Sequence, residues 1–306
     1  MLLSEILKAM DFTREYKCID EKPFEYMALT ASGFAQPCCV FLDSADYISS
    51  ISENVSIVLT TDELNSQLKN GAYGKCIVKK PRELFFEIHN YLSDKSGYAR
   101  GSFTSKIGSD CNISPLASIA QNIVIIGNNV SVEEFVVIRE NTFIDNDTII
   151  RDGCKVGGQG YELKRTDYGI LSVAHAGGVK IGKNVEIQYN TCVDRGVFPW
   201  DDTIFGDYCK IDNLVHVAHG VKIGKNVLVV ANVGLGGRTE INDGAWIGFA
   251  ATITNGVTVG EDARANIGAV VTKSVPGNSS VTGNFAIEHS KFLRNLKAAN
   301  AEDLKE

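Results

Sequence analysis

Two histidines, one carboxylate and a group of glycines stand at spacings that could carry acyl transfer. His219 lies in Val217-Ala218-His219-Gly220, with His216 just before it, Asp212 and Asn213 upstream, and Gly234, Gly236 and Gly237 downstream. An imidazole can take a proton from an attacking amine. Backbone N–H groups left open by glycine can stabilise the oxyanion formed when a thioester carbonyl is attacked. Asp212 is the candidate to orient the imidazole, whereas His216 also reads as an ordinary solvent-facing histidine.

Whether these residues meet depends on the repeat that carries them. Counting in sixes from Ile181 gives Ile187, Val193, Pro199, Phe205, Ile211, Val217, Ile223, Val229, Leu235, Ile241, Ile247, Ile253, Val259, Ala265 and Val271. An earlier run, Ile126, Val132, Ile138, Ile144, Ile150 and Val156, obeys the same rule, and Ile107, Ile113 and Ile119 precede it. Two positions ahead of each stands a small or β-branched residue, such as Val179, Cys209 or Ala245. A sustained period of this kind is the signature of a solenoid. Each hexad is one short strand with its large apolar side chain inward, followed by a turn for which glycines such as Gly182, Gly206 and Gly236 supply permissive dihedrals. Three hexads close one triangular coil, so Gly237, eighteen residues on, is expected above His219.

The register breaks between Gly157 and Gly178, a stretch holding Gln159, Tyr161, Lys164, Arg165, Tyr168 and His175. Long loops on a solenoid face are more often functional than accidental. Residues 1–100 differ in texture, with helices predicted at Leu2–Met10 and Pro81–Leu92 and strands at Cys39–Leu42, Val55–Leu59 and Lys75–Lys79. The organisation expected is a small α/β domain over 1–100, a parallel β-helix over 101–285 and an amphipathic helix over 286–306 that closes the coil.

Composition narrows the function classes. The chain has 306 residues with 44% apolar content, the makeup of a soluble protein, and it shows neither a membrane-spanning run nor a signal peptide, so the cytoplasm is expected. A net charge of −7 argues against nucleic acid as a partner. The eight cysteines form no CxxC spacing, and Cys111, Cys154 and Cys209 read as compact apolar fillers.

Val193-Asp194-Arg195-Gly196, Lys210-Ile211-Asp212-Asn213 and Ala218-His219, in that order, resemble the UDP-3-O-acylglucosamine N-acyltransferases of lipid A biosynthesis. Gly158-Gln159-Gly160-Tyr161 resembles that family's Gly-Phe-Gly-Tyr segment, and Val40-Phe41-Leu42 followed by Tyr47 resembles its uracil-holding segment. The stretch from His289 to Arg294 resembles its C-terminal exit. The resemblance implies a left-handed parallel β-helix assembled as a homotrimer, with active sites between subunits. It implies His219 as general base, Gly237 as oxyanion donor and Asp212 as orienting residue. Phe41 and Tyr47 would sandwich uracil, with Tyr161, Asn213, His216 and Arg195 as further substrate-binding residues. The substrate would be a UDP-linked amino sugar and the co-substrate an acyl-CoA or acyl carrier protein, with no permanently bound cofactor and no metal.

Departures leave the donor open. Gly256 stands where the family carries a second histidine, the chain ends soon after one helix, and Val270-Val271-Thr272-Lys273 is similar to the last coil of CoA-dependent hexapeptide acetyltransferases. Outward positions such as Lys210, Lys222 and Glu240 are polar, so no groove for a long acyl chain is legible, which favours a short acyl group from CoA for a surface glycan over the lipid A reaction itself. The extra residues around Phe198 and Trp200 are expected on the surface near a cleft. Two other readings remain. One is a γ-carbonic-anhydrase-like metal site built from His175, His216 and His219; the other is a non-catalytic trimeric scaffold.

Overall fold

A computed structural model describes residues 1–32, 35–69, 71–283 and 286–302, with the side chains of 299–302 left aside. From Lys106 onward the chain winds into a parallel β-helix whose three faces hold eight, nine and eight strands. The inward hexad residues are buried from Ile126 to Val271 and form one continuous core, with Cys154 and Cys209 among its small fillers. Each such valine or isoleucine contributes roughly 1.5–3 kcal/mol on leaving water, and apart from Lys155–Gly158 the strands are only two or three residues long because the corner follows at once.

The corner chemistry differs from the sequence expectation. Gly206 and Gly236, directly after a register residue, do not have positive φ, although Gly157 at the start of the first excursion does. They are required by proximity: a Cβ on Gly236 would lie 2.6 Å from the Asn255 nitrogen of the next coil. The left-handed residue stands three places past the register residue and recurs every sixth position, at Gly220, Asn226, Asn232, Arg238, Gly244, Ala250, Gly256, Asp262 and Gly268. Asparagine, aspartate and glycine tolerate that conformation, which is why they cluster there. Gly256 therefore meets a backbone demand of its own.

Residues 3–92 form an α/β unit. Helix α1 (Leu3–Ala9) is followed by β1 (Tyr16–Ile19), β2 (Tyr26–Met27), β3 (Cys38–Leu42), β4 (Val55–Thr60), α2 (Asp62–Asn65), β5 (Gly74–Val78) and α3 (Pro81–Leu92). The sheet order is β1-β5-β4-β3-β2, with β1 antiparallel to β5 and the others parallel. Pro81 opens α3, where its missing N–H costs nothing, and Leu84, Phe85, Ile88 and Leu92 bury one face of that helix.

Two excursions from the solenoid complete this unit's core. The Gly157-to-Gly178 stretch, expected as a plain loop, contains a β-hairpin of Leu163–Thr166 paired with Gly169–Ser172. Pro199 is not a strand residue: twelve residues separate Val193 from Phe205, the next register position on the ladder, and 195–202 leave the coil. Phe198, expected on the surface, is fully buried. It packs edge-on to Phe85 and His89 and stacks on Trp200 at 5.4 Å. The Trp200 indole N–H donates to the Met27 carbonyl at 3.0 Å. Asp201 accepts from Arg238 and Lys222, and Asp202 pairs with Arg100, so the excursion is tied to both bodies. An aromatic side chain has more to gain in that core than in water.

The C-terminal helix α4 (His289–Glu302) exists, but it does not close the coil: Phe292, Leu293 and Leu296 are exposed, and 303–306, including Lys305, lie outside the described residues. Its apolar side faces solvent because the last coils are already filled by Ala265, Ala269 and Val271. Exposed apolar residues also recur at one solenoid corner, where Leu116, Phe135, Leu214, Phe249 and Ile267 stand on the edge between the second and third faces, with Gly153, Asn190 and Asn232 on the coils between them. That row is invisible when only outward strand positions are read. Truncating Phe198 to alanine should cost about 3–5 kcal/mol, read as a lowered urea midpoint; a change under about 1 kcal/mol would mean that the excursion does not anchor the unit.

Candidate functional site

His219 stands at the corner that follows the strand His216–Val217. The parallel register sets His216 beside Gly234 and Val217 beside Leu235, which brings Gly237 directly over His219. A Cβ on Gly237 would sit 2.6 Å from the imidazole Cε1, so only glycine lets the next coil close over the ring. The Arg238 N–H donates to the His219 carbonyl at 2.9 Å and holds the two turns together. At some corresponding corners a side-chain oxygen takes the turn N–H, as Asp243 does from Lys225, Asp212 from Ala231 and Asn213 from Tyr189, whereas at others, such as Phe249, Asn255 and Ile267, no acceptor is present among the described residues. The Gly237 N–H finds no acceptor among the described residues.

Asp212 does not orient His219. It caps a different corner, accepting from the N–H groups of Asn213 and Ala231 at 2.7 and 3.1 Å. Asn213 accepts from the Tyr189 N–H at that corner. Six residues move the chain to the next corner of the triangle, so neighbours in sequence there are not neighbours in space. The carboxylate that reaches His219 is Glu162, 3.2 Å from Nε2, with both side chains largely buried. Sequence reasoning passed over it, although it directly follows Gly158-Gln159-Gly160-Tyr161.

The Glu162 hairpin is held from several sides. Lys164 pairs with the Glu162 carboxylate while its ammonium lies 4.6 Å from the Phe86 ring centre. Lys80 pairs with Asp167 at the hairpin tip. On α3, Asn90 donates to the Ser172 carbonyl and accepts from the Ala174 N–H, both at 2.8 Å. His89 bridges the Ala174 carbonyl and the Tyr98 hydroxyl, also at 2.8 Å. That pairing requires Nε2 to donate and Nδ1 to accept.

Below His219 lie His175, whose ring is 5.7 Å away, and Asp194, whose carboxylate approaches Gly160. His216 is exposed, 3.8 Å from Asp194. Burial would raise the Glu162 carboxyl, but hydrogen bonds from His219 and Lys164 outweigh it and hold the group at about 2. Burial pushes Asp194 up, and it depresses His175 to about 4 with help from His219. Arg195, at the same corner, is drawn down by burial.

A cavity of about 420 Å³ opens between the α/β unit and the solenoid, lined among others by Phe41, Tyr47, Arg82, Glu162, Arg238 and Asn255. Phe41, on β3, is braced by Phe85 and Phe86 at 5.0 and 6.0 Å, with one ring face left toward the cavity and the Arg82 guanidinium. Tyr47 is exposed beside it, and Tyr161 points outward with 87% of its surface free. Thus Phe41 and Tyr47 share a cavity whose far wall, Glu162, touches His219. A larger cavity of about 720 Å³ beside Arg14 and Lys79 has its main ions already paired, Arg14 to Glu83 and Glu87 and Lys80 to Asp167, and neither His219 nor Glu162 lines it. Among the described residues no group of three His, Cys, Asp or Glu side chains is arranged to hold a metal.

Comparison with known proteins agrees with this architecture. Residues 202–237 match the model of the bacterial transferase hexapeptide (six repeats). The chain is 37% identical over 145 residues to a UDP-3-O-acylglucosamine N-acyltransferase of Caulobacter sp. (strain K31), covering 47% of this chain and 42% of that protein. It is 36% identical over 159 residues to UDP-3-O-acylglucosamine N-acyltransferase 2 of Legionella pneumophila (strain Philadelphia 1), covering 51% and 46%. The matches therefore span less than half the length of these curated relatives. Among solved structures, an Arabidopsis UDP-N-acetylglucosamine acyltransferase superposes with a TM-score of 0.53 at 25% identity, over 63% of this chain and 67% of that one. The Campylobacter jejuni UDP-N-acetylglucosamine acyltransferase shares the fold with a TM-score of 0.54.

The buried histidines set a pH dependence. His89 is held by burial at about 4, below the ordinary histidine value near 6.5. Its folded value is the lower one, so the unfolded chain takes up the proton first as pH falls. Stability is then complete above about pH 6.5 and drains away as pH falls toward 4, by roughly 3 kcal/mol for this residue. Melting temperatures measured from pH 7 to 4 should decline, and His89→Gln should flatten the decline. An unchanged slope in that variant would contradict the assignment.

Proposed function

We propose that the protein is an N-acyltransferase that moves an acyl group from a phosphopantetheine thioester to the amine of a UDP-linked amino sugar. The observation that carries this reading is that the aromatic-walled cavity at Phe41 and Tyr47 is bounded by Glu162, whose carboxylate contacts His219 behind it, and that His219 lies beneath Gly237, whose N–H has no acceptor among the described residues. A uracil fits an aromatic slot, the diphosphate meets Arg82 and Arg238, and the sugar then reaches toward the imidazole. The names of the curated relatives point the same way.

In the reaction, the sugar amine attacks the thioester carbonyl and forms the C–N bond. His219 takes the amine proton, the Gly237 N–H stabilises the oxyanion, and collapse breaks the C–S bond as the thiolate leaves with a proton. The thioester is already activated, so no covalent intermediate on the protein is needed. The exposed apolar corner from Leu116 to Ile267 suits burial against copies of the same chain, which supports the homotrimer. Among the described residues no helix is long and apolar enough to cross a membrane, and we assign the activity to the cytoplasm. The donor is either acyl-CoA or acyl carrier protein. Polar outward strand positions favour a short acyl group from CoA, whereas the curated relatives are named for N-acylation of a UDP-glucosamine that already carries a 3-O-acyl group.

A panel of UDP-amino sugars with acetyl-CoA and 3-hydroxyacyl carrier protein, followed by free-thiol release, tests both the activity and the donor. No release with any pair would sink the reading. Within an active pair, His219→Ala should lower kcat by about 10²–10⁴-fold, while Asp212→Ala, which removes only a corner cap, should change kcat little. Phe41→Ala should raise KM for the UDP-sugar several-fold, as expected for a loss on the order of 1 kcal/mol, and leave the donor KM unmoved. Equal effects on both substrates would place Phe41 outside the nucleotide site.

A further inference from the structure

The geometry points to Glu162 as the positioning residue for His219, a role that rests on the acyl-transfer reading above. Three observations converge. First, Glu162 Oε2 is 3.2 Å from His219 Nε2, and both groups are shielded from water. Second, His219 Nδ1 is buried with no hydrogen-bond partner among the described residues, so the only ring nitrogen with a fixed neighbour is the one facing the carboxylate. Third, Glu162 is itself fixed: Lys164 holds its other oxygen, and the hairpin is clamped to α3 by Asn90 and to the start of that helix by the Lys80–Asp167 pair.

Facing a carboxylate, which can only accept a hydrogen bond, the neutral imidazole carries its proton on Nε2 and its unshared pair on Nδ1, the buried and unpartnered atom that the substrate amine would then have to reach. When the ring takes the substrate proton it becomes an imidazolium, and the adjacent carboxylate stabilises that charge without being protonated, the role an acidic residue plays beside a catalytic histidine. The other charged or titratable groups around the pair are Lys164 on the hairpin, His175 below and Asp194 at the same corner. Lys164 opposes the imidazolium, and Asp194 favours it. The dyad is assembled across a fold boundary. The base comes from a solenoid corner, and its partner from an excursion that the N-terminal unit holds in place.

The test compares the full-length protein with Glu162→Gln and Glu162→Asp. Glutamine keeps the size but can offer an N–H to Nε2, which favours the opposite tautomer. Glu162→Gln is expected to lower kcat by about 10- to 100-fold with KM for the UDP-sugar within about twofold, and to move the acid limb of the kcat/KM profile to lower pH. Glu162→Asp should recover part of the loss. In parallel, 15N-histidine labelling, with the signal assigned by loss in His219→Gln, should show Nε2 protonated in the wild type and the Nδ1 tautomer gaining in Glu162→Gln. Wild-type kcat and an unchanged profile in Glu162→Gln would overturn the proposal. If the wild type transfers no acyl group at all, the functional reading fails by itself, and the tautomer measurement still decides the pairing: identical His219 signals in wild type and Glu162→Gln would refute it.

Discussion

The parallel ladder from coil to coil is the constraint on which the rest of the structure depends. Each turn donates its backbone hydrogen bonds to the turn above, as Ala218 does to Leu235 and Gly236 to Ile253. A slip of one residue would send the buried hexad side chains outward and leave those groups unpaired. The ladder therefore dictates which residue covers which. His219 lies under Gly237 because Val217 pairs with Leu235, and a side chain at 237 would have to displace the imidazole or part the coils.

A rigid stack offers little of its own for binding, since its faces are flat and its corners repetitive. The two excursions supply what the repeat lacks. One contributes Phe198 and Trp200 to the core of the α/β unit, and the other carries Val173 into it and Glu162 back to His219. Both insertions help to wall the cavity between the α/β unit and the solenoid, through Glu162, Lys164 and Val197. Burying their aromatic residues stabilises the docking, while Asp201 and Asp202 tie one excursion to Lys222 and Arg238 of the solenoid and to Arg100.

The hexad register made the solenoid, its inward residues and the stacking of residues eighteen apart legible from sequence, because a period of six leaves few other solutions. The strands at Cys38–Leu42, Val55–Thr60 and Gly74–Val78 and the helix at Pro81–Leu92 were also legible, each being an apolar run of the right length between breakers. Insertions were harder to read. Pro199 fits the count of six by arithmetic alone, and nothing local says that Phe198 turns toward Phe85. The partner of His219 was misread for the same reason. Asp212 is close in sequence but one corner away in space, whereas Glu162 is distant in sequence and arrives on a hairpin whose path depends on α3. The apolar corner escaped notice because its members sit at turn positions, where an alternation of inward and outward residues says nothing.

The proposed reaction uses the cavity for an amine-bearing substrate, with Glu162 in its wall and His219 in contact behind that carboxylate. The direct measurement is mass spectrometry of the product formed from a UDP-amino sugar and a thioester donor, followed by hydroxylamine treatment. The expected product is a UDP-sugar heavier by one acyl group that survives hydroxylamine, as an amide does. A hydroxylamine-labile ester, or no mass gain with any amine-bearing UDP-sugar, would contradict it.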